Sequence, residues 1–295
     1  MLALREYIDD HYKEQVNTHK QYTNQYFKLN DLCSQINTNK DVPCETFINL
    51  IKDSDYKTTT KLQLLNVALM FKRKIQDNTE DEVKPMIDFR DVLRGNETTE
   101  RHNKNKDLIQ NLPTSAQLTK YMNTQYKNEN WKGFITNYIL INFYTRNLDL
   151  NVIIHSDNEV IDYEEDNHIV IDDNKVLYFR NNYKTKNIYG RQKHIIKNVK
   201  FVESVKNHYN KHTEEFENNV PLFINSKNEK VSDRDVGWYV AKETFNNIGE
   251  GNYLKVILQN INNKPNTMTK LEKVSSLRGT KTERLVKDYN LKSIT

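Results

Sequence analysis

Apolar residues recur at helical spacing through the first part of the chain. They do so over residues 2–30, 45–53 and 61–75, and threonines at 58–60 offer an N-cap to the last of these segments. Because amphipathic helices bury their apolar faces against one another, the pattern predicts a helical domain over residues 1–95.

A polar stretch without apolar periodicity follows this domain. We expect one short helix around residues 87–94 and an irregular linker over residues 96–113. Apolar spacing resumes after a proline, where Thr114 or Ser115 is a typical helix start. Residues 131–147 are the most apolar run of the chain, which predicts a buried helix.

The apolar period then changes from about 3.6 residues to about two, which is typical of β-strands. Alternating segments with turn-forming residues between them occupy residues 152–156, 168–173, 175–185 and 194–205. Helical spacing returns from Phe201, and further helices are predicted over residues 232–247, 251–262 and 267–290. The sequence therefore predicts a mainly α chain with a small antiparallel β-sheet, an α+β fold whose second domain spans residues 114–295.

Composition narrows the function classes. Hydrophobic residues make up 36% of the chain, and no run approaches the roughly 18 apolar residues of a membrane span, so we expect no membrane partner. Cys33 and Cys44 are the only cysteines, and no histidine stands at ligand spacing from them, so we expect neither a metal nor a cofactor. The acidic, amphipathic start differs from a signal or transit peptide, which favours an intracellular setting.

Charge is segregated along the chain. Lysine and arginine number 44 against 40 acidic residues, a formal net charge of +4. Residues 155–173 are acidic, whereas residues 178–200 and 264–287 are basic. This arrangement allows a basic face, as nucleic-acid binding requires, on a protein of modest net charge.

Polar segments at three places carry candidate chemistry, each with a plainer alternative. After the buried helix, Arg146 either enters a cleft, held by Asp149, or merely complements the helix dipole. Within residues 275–280, Arg278 is predicted at the opening of a helix, where backbone amides help to bind an anion. The alternative for Arg278 is an ordinary surface arginine.

Between these two segments lies the turn of a predicted β-hairpin, at residues 181–190. Its lysines, beside tyrosines and asparagines, suit contact with phosphates and a groove, and the alternative is a solvated, charged loop. The candidate DNA contacts of this turn and of the last segment are Asn182, Tyr183, Lys186, Tyr189, Arg191, Lys193, Thr280 and Lys281.

The order of the three segments resembles the tyrosine recombinase, or phage-integrase, family, in particular its members from large DNA viruses and mobile elements. Residues 144–150 (YTRNLDL) are similar to the box of the first catalytic arginine, and residues 181–190 (NNYKTKNIYG) to the hairpin of the catalytic lysine. Residues 275–280 (SSLRGT) are similar to the His-x-x-Arg box. The resemblance covers most of residues 114–290, and it implies a core-binding domain before them.

The resemblance implies DNA strand exchange or integration by a homo-oligomer on double-stranded DNA. Arg146 and Arg278 would clamp the phosphate, and Lys184, or alternatively Lys186, would protonate the departing oxygen. It also implies a location in the host nucleus or cytoplasm, or in a virus particle.

The sequence departs from the family pattern at two points. Ser275 stands where the family has a histidine, so it is a candidate catalytic position. A serine donates a hydrogen bond to a phosphate but does not carry protons near neutral pH. Tyr289 is the only tyrosine after Arg278, and it would lie about three turns along the same predicted helix, so we do not expect it to be the nucleophile.

We therefore expect the nucleophile segment to be lacking, which leaves turnover open. The alternative is an inactive recombinase-like fold that serves as a structural or interaction protein, for example in a virus particle or a nucleoprotein complex.

Overall fold

The computed structural model describes residues 1–34, 36, 38, 41–156, 166–262 and 267–289. The chain divides into two compact units, Met1–Asn105 and Lys106–Thr295. Each unit encloses apolar core of its own.

The first unit is helical, as its apolar spacing predicts. Its helices are α1 (Leu2–Tyr12), α2 (Val16–Leu32), α3 (Cys44–Asp53), α4 (Thr58–Lys74) and α5 (Lys84–Gln110). Leu4, Phe47 and Leu65, from three of these helices, are fully buried in one core. The threonines at 58–60 lie inside the first turn of α4 rather than at its cap, because Lys57 occupies the cap position.

Most of residues 96–113, expected to form an irregular linker, is helical and belongs to α5, and the boundary between the two units falls within this stretch. Among the described side chains of α5, the buried apolar ones are Met86 and Leu93, in its first part. A helix that is polar on all sides lacks the 3.6-residue pattern, so periodicity does not detect it. Pro85 does not interrupt α5, because the amide that proline lacks has no helical partner in the first turn.

The second unit contains most of the helices. They are α6 (Ser115–Lys127), α7 (Trp131–Phe143), α8 (Lys186–Tyr189), α9 (Val199–Phe216), α10 (Val236–Glu243), α11 (Gly249–Asn262), α12 (Thr267–Arg278) and α13 (Thr282–Tyr289). The predicted start of α6 is confirmed, since Thr114 and Gln117 form a reciprocal capping box there. The predicted burial of α7 is confirmed as well.

Five strands form one sheet in the second unit. They are β1 (Val152–His155), β2 (Asn167–Asp172), β3 (Lys175–Arg180), β4 (Gln192–Ile196) and β5 (Val220–Pro221), in the order β4-β3-β2-β1-β5. The predicted antiparallel pairing of β2 with β3 and of β3 with β4 is confirmed. However, β1 and β2 run parallel, so the sheet is mixed and not purely antiparallel. No tight-turn signal separates these two strands, and alternation alone does not fix their direction.

The sheet packs on α7 and α9 through a common core. Ile139 of α7, Phe201 of α9 and Tyr178 of β3 are fully buried there. The Tyr178 hydroxyl also donates to the Asp149 carbonyl at 2.7 Å, which ties the segment after α7 to the sheet. None of the helices in the described part of the chain is long and apolar enough to cross a membrane.

We expect the second unit to lose stability as the pH falls from 6.5 to 4. Burial lowers the pKa of His168, His194 and His208 from the ordinary 6.5 to about 4. The folded chain keeps these rings neutral while the unfolded chain protonates them. Acid therefore favours unfolding by up to about 1.4 kcal/mol per pH unit for each histidine, and the stability is intact above pH 6.5.

Urea unfolding of the full chain, at neutral pH and in mild acid, measures this dependence. His208→Gln should reduce the number of protons taken up on unfolding by about one. A free energy of unfolding that stays constant over the window would contradict the prediction.

Candidate functional site

A pocket of about 400 Å³ opens on the second unit where three chain segments meet. The segments are the one after α7, the connection between β3 and β4, and the turn between α12 and α13. Five side chains around the pocket are cationic, and no described residue that lines it is acidic. The cations are Arg146, Lys184, Arg278, Lys281 and Arg284.

The end of α7 carries Arg146 to this pocket through a tight reversal. Tyr144 adopts the left-handed conformation (φ 54°), and a 3₁₀ turn follows at Asn147–Leu150. Asp149 in that turn accepts a hydrogen bond from the Arg146 backbone amide at 3.0 Å. The carboxylate therefore fixes the backbone of Arg146 and does not neutralise its side chain directly.

The end of α12, and not the start of a helix, carries Arg278. Gly279 follows in the left-handed conformation (φ 64°), its amide donates to the Ser276 carbonyl at 3.2 Å, and the Thr280 amide donates to the Ser275 carbonyl at 3.0 Å. These two bonds form a Schellman motif, which ends helices at a glycine. The expectation of one helix over residues 267–290 is therefore wrong, and the glycine after Arg278 was the signal for its end.

The corrected helix end also changes the geometry expected for Tyr289. This residue belongs to α13, a separate helix from the one that carries Arg278. The distance of about three turns along one helix, which we used to set Tyr289 aside, therefore does not apply.

Arg146 and Arg278 each bind the helix end from which the other emerges. Arg278 Nη1 donates to the carbonyl oxygens of Tyr144 at 2.9 Å and Thr145 at 3.1 Å, just beyond α7. Arg146 Nη1 donates to the carbonyl oxygen of Arg278, at the end of α12, at 2.7 Å. Carbonyls at helix ends lack helical partners and attract cations. Both arginines thus combine helix capping with pocket lining.

A further arginine, which the sequence did not single out, lies beneath these two. Arg180 is completely buried, and its Nη2 pairs with Asp149 Oδ2 at 2.5 Å. Its Nη1 donates to the Leu277 carbonyl, one residue before the end of α12. Asp149 was expected to hold the Arg146 side chain, but it pairs with Arg180 instead. The signal was the register of β3, where Arg180 follows the buried Val176 and Tyr178 at a period of two.

The connection between β3 and β4 carries Lys184 into the pocket. Lys184 is exposed, and the Thr185 hydroxyl beside it donates to the Gly279 carbonyl at 2.8 Å. Tyr183 is only 4% exposed, because its ring lies 4.7 Å from the Arg180 guanidinium. Its hydroxyl donates to the Gly190 carbonyl at 2.6 Å. Tyr183 therefore braces the connection, and the structure buries the side chain that the sequence suggested as a DNA contact.

The electrostatics of the pocket favour an anion. Burial lowers the pKa of the Arg146 guanidinium, and the positive charge of Arg278 lowers it further. Asp149 and Glu250 oppose this shift, and Glu250 forms an ion pair with Arg278 at 2.5 Å. An arginine nevertheless stays charged in proteins, so an anion in the pocket would relieve the repulsion between the two guanidinium groups.

Of the other residues that the sequence singled out, Tyr189, Thr280 and Lys281 also line the pocket. Ser275 does not, because it is buried and its hydroxyl donates to the Thr280 carbonyl. A donor directed into the loop in this way is not available to a phosphate, so the role expected for Ser275 is not supported by its position.

The remaining predicted contacts lie outside the pocket lining. The Asn182 side chain donates to Asp233 at 3.3 Å, and the Lys193 ammonium lies 5.2 Å from the Phe179 ring centre. Neither Lys186 nor Arg191 is among the residues around the pocket. Of the two candidate lysines in the connection between β3 and β4, Lys184 and not Lys186 thus lines the pocket with the two arginines.

Residues that the structure describes include no cluster of three or more His, Cys, Asp or Glu side chains placed to hold a metal ion. No protein-family model, curated protein or solved structure matches the chain. The function is therefore inferred from the chemistry of the pocket and of the elements that build it.

We expect Asp149→Ala to destabilise the second unit by about 3–5 kcal/mol, because it leaves the buried Arg180 charge without its carboxylate partner. Lys175→Ala is the matched control, since it breaks the partly exposed pair with Asp172 and should cost less than about 1 kcal/mol. Denaturant unfolding monitored by circular dichroism compares the two variants. Equal losses would show that the buried pair does not support the site.

We also expect Gly279→Ala to destabilise the turn after α12. The left-handed backbone costs a residue with a side chain roughly 1–2 kcal/mol, and the added Cβ would lie 2.6 Å from the Thr185 hydroxyl. Gly251→Ala is the control, because nothing lies within 4 Å of its added Cβ and it should stabilise α11 by up to about 1 kcal/mol. Thermal unfolding distinguishes the opposite signs, and a neutral Gly279→Ala would contradict the turn geometry.

Proposed function

We propose that this pocket binds a phosphodiester of double-stranded DNA, and that the chain is a DNA-binding protein of the tyrosine recombinase or integrase type. One observation carries the proposal: cations from three segments converge on one pocket that no described acidic residue lines. Arg146 and Arg278 are 132 residues apart in the sequence, so folding and not local sequence brings them together.

Arg146 keeps donors for a ligand after binding the end of α12, whereas Arg278 already gives Nη1 to two carbonyls and Nη2 to Glu250. A guanidinium carries five N–H donors, and Arg146 gives only one nitrogen to the Arg278 carbonyl. Paired N–H groups match the oxygens of a phosphate, and such charge-assisted bonds are about twice as strong as neutral ones. Lys184 and Lys281 are exposed at the rim of the pocket, where their ammonium groups add positive charge for the same phosphate or for neighbouring phosphates.

In strand exchange, the arginines would neutralise the non-bridging oxygens as the phosphorus is attacked. The Lys184 ammonium would give a proton to the oxygen that leaves, which balances its negative charge. The resemblance assigns the attack to a tyrosine. Tyr189 is the tyrosine among the residues that line the pocket, and no histidine is among them.

A second candidate function is DNA binding without turnover, as in a nucleoprotein complex or a virus particle. It is favoured by the position of Ser275, whose hydroxyl donates to the Thr280 carbonyl and so leaves the pocket without a group in the place of the family's histidine. The phosphate would then be held by the same arginines without being cut.

We expect affinity for any DNA duplex to fall steeply with salt, because lysine and arginine contacts to phosphates release counterions. Lys184→Ala and Lys281→Ala should each weaken binding and reduce the slope of log affinity against log salt by about one. Lys211→Ala is the matched control, since this exposed lysine lines a different pocket of the same unit. Fluorescence anisotropy over a salt series measures affinity and slope together.

Absent or salt-independent binding would contradict the proposal, as would an equal effect of Lys211→Ala. A nicked duplex that traps a covalent protein–DNA adduct separates the two candidates: an adduct on a denaturing gel supports strand exchange, and binding without an adduct supports the second candidate.

A further inference from the structure

One wall of the pocket is apolar and open to solvent. Ile188 is 77% exposed and Tyr189 is 38% exposed, and both line the pocket that the cations surround. A single exposed apolar side chain needs no explanation. Two adjacent ones beside five cations indicate a ligand with both a charged and an apolar part.

The turn beneath holds this wall in place. The amides of Ile188 and Tyr189 donate to the Thr185 carbonyl at 3.0 and 3.1 Å, and the Thr185 hydroxyl donates to the Gly279 carbonyl. The Tyr189 ring lies against Gly279, since an added Cβ there would be 3.3 Å from the ring. A ring that is fixed before binding loses little entropy when a ligand covers it.

The pocket offers more room than one phosphate group requires. Its volume of about 400 Å³ falls within the range of pockets that take whole small molecules, about 300–1,000 Å³. In a stacked duplex the bases lie inside the helix, and only phosphate and sugar reach a protein surface of this kind. The exposed ring of Tyr189 therefore gains a stacked base only if that base leaves the duplex stack.

We propose that the pocket takes a phosphodiester together with the adjoining nucleotide, whose base leaves the stack and lies against Tyr189 and Ile188. The inference rests on the proposed DNA binding and deepens it, because it names duplex DNA with an easily unpaired nucleotide as the preferred ligand. An aromatic ring stacks on every type of base, so affinity at this contact depends on how easily the duplex deforms and not on its base sequence.

The test compares two duplexes of the same length, one fully paired and one with a single central mismatch, at low salt. The mismatched duplex should bind more tightly, since a mismatched base is already easier to unstack. A 2-aminopurine at the mismatch should gain fluorescence on binding. Tyr189→Ala should reduce affinity for the mismatched duplex by about tenfold, which is typical of one lost base–aromatic stack.

Tyr189→Phe and Ile195→Ala are the controls. Tyr189→Phe keeps the ring and should retain the preference, and Ile195→Ala removes an apolar side chain that is 60% exposed on β4 and does not line the pocket. Ile188→Ala should weaken the preference, and Ile195→Ala should not.

Each result bears on a different statement. Binding to neither duplex overturns the proposed DNA binding and this inference with it. Binding without preference or fluorescence gain, or an equal loss in Tyr189→Phe and Tyr189→Ala, overturns the inference alone.

Discussion

The second unit depends on a reciprocal exchange of hydrogen bonds, by Arg146 and Arg278, between the ends of α7 and α12. Arg278 binds carbonyls just beyond α7, while Arg146 binds the last carbonyl of α12. Neither arginine has its position without the other helix, so the exchange fixes the distance between the two guanidinium groups. Burial and the nearby charge of Arg278 lower the pKa of Arg146, and the proposed binding of an anion rests on this closeness of two cations.

The Arg180–Asp149 pair supports this exchange from below. A buried ion pair adds little net stability, but it tolerates few alternative geometries because each charge must keep its partner. Asp149 holds the Arg146 backbone, and Arg180 holds the Leu277 carbonyl. One pair therefore connects the 3₁₀ turn, the end of β3 and the end of α12, which are the elements around the pocket.

Periodicity was sufficient to predict the amphipathic helices and the pairing of β2, β3 and β4, because each is fixed by local pattern and turn residues. It found only the part of α5 around residues 87–94 and missed the rest, whose described surface beyond Leu93 has no apolar stripe. It also missed the direction of β1 relative to β2. At the site, residue type and order pointed to Arg146, Lys184 and Arg278. They did not show that Arg180 pairs with Asp149, since that partner is distant in sequence and only the fold brings it to the end of β3.

The glycine after Arg278 has a consequence for how the protein acquires its binding site during synthesis. The carbonyl of this left-handed residue, Gly279, accepts a hydrogen bond from the Thr185 hydroxyl, 94 residues earlier in the chain. The ribosome releases the connection between β3 and β4 long before it releases Gly279. The emerging chain therefore carries Lys184 before Arg278 has joined Arg146. The pocket proposed to bind DNA is thus complete only after α12 has been made and has docked.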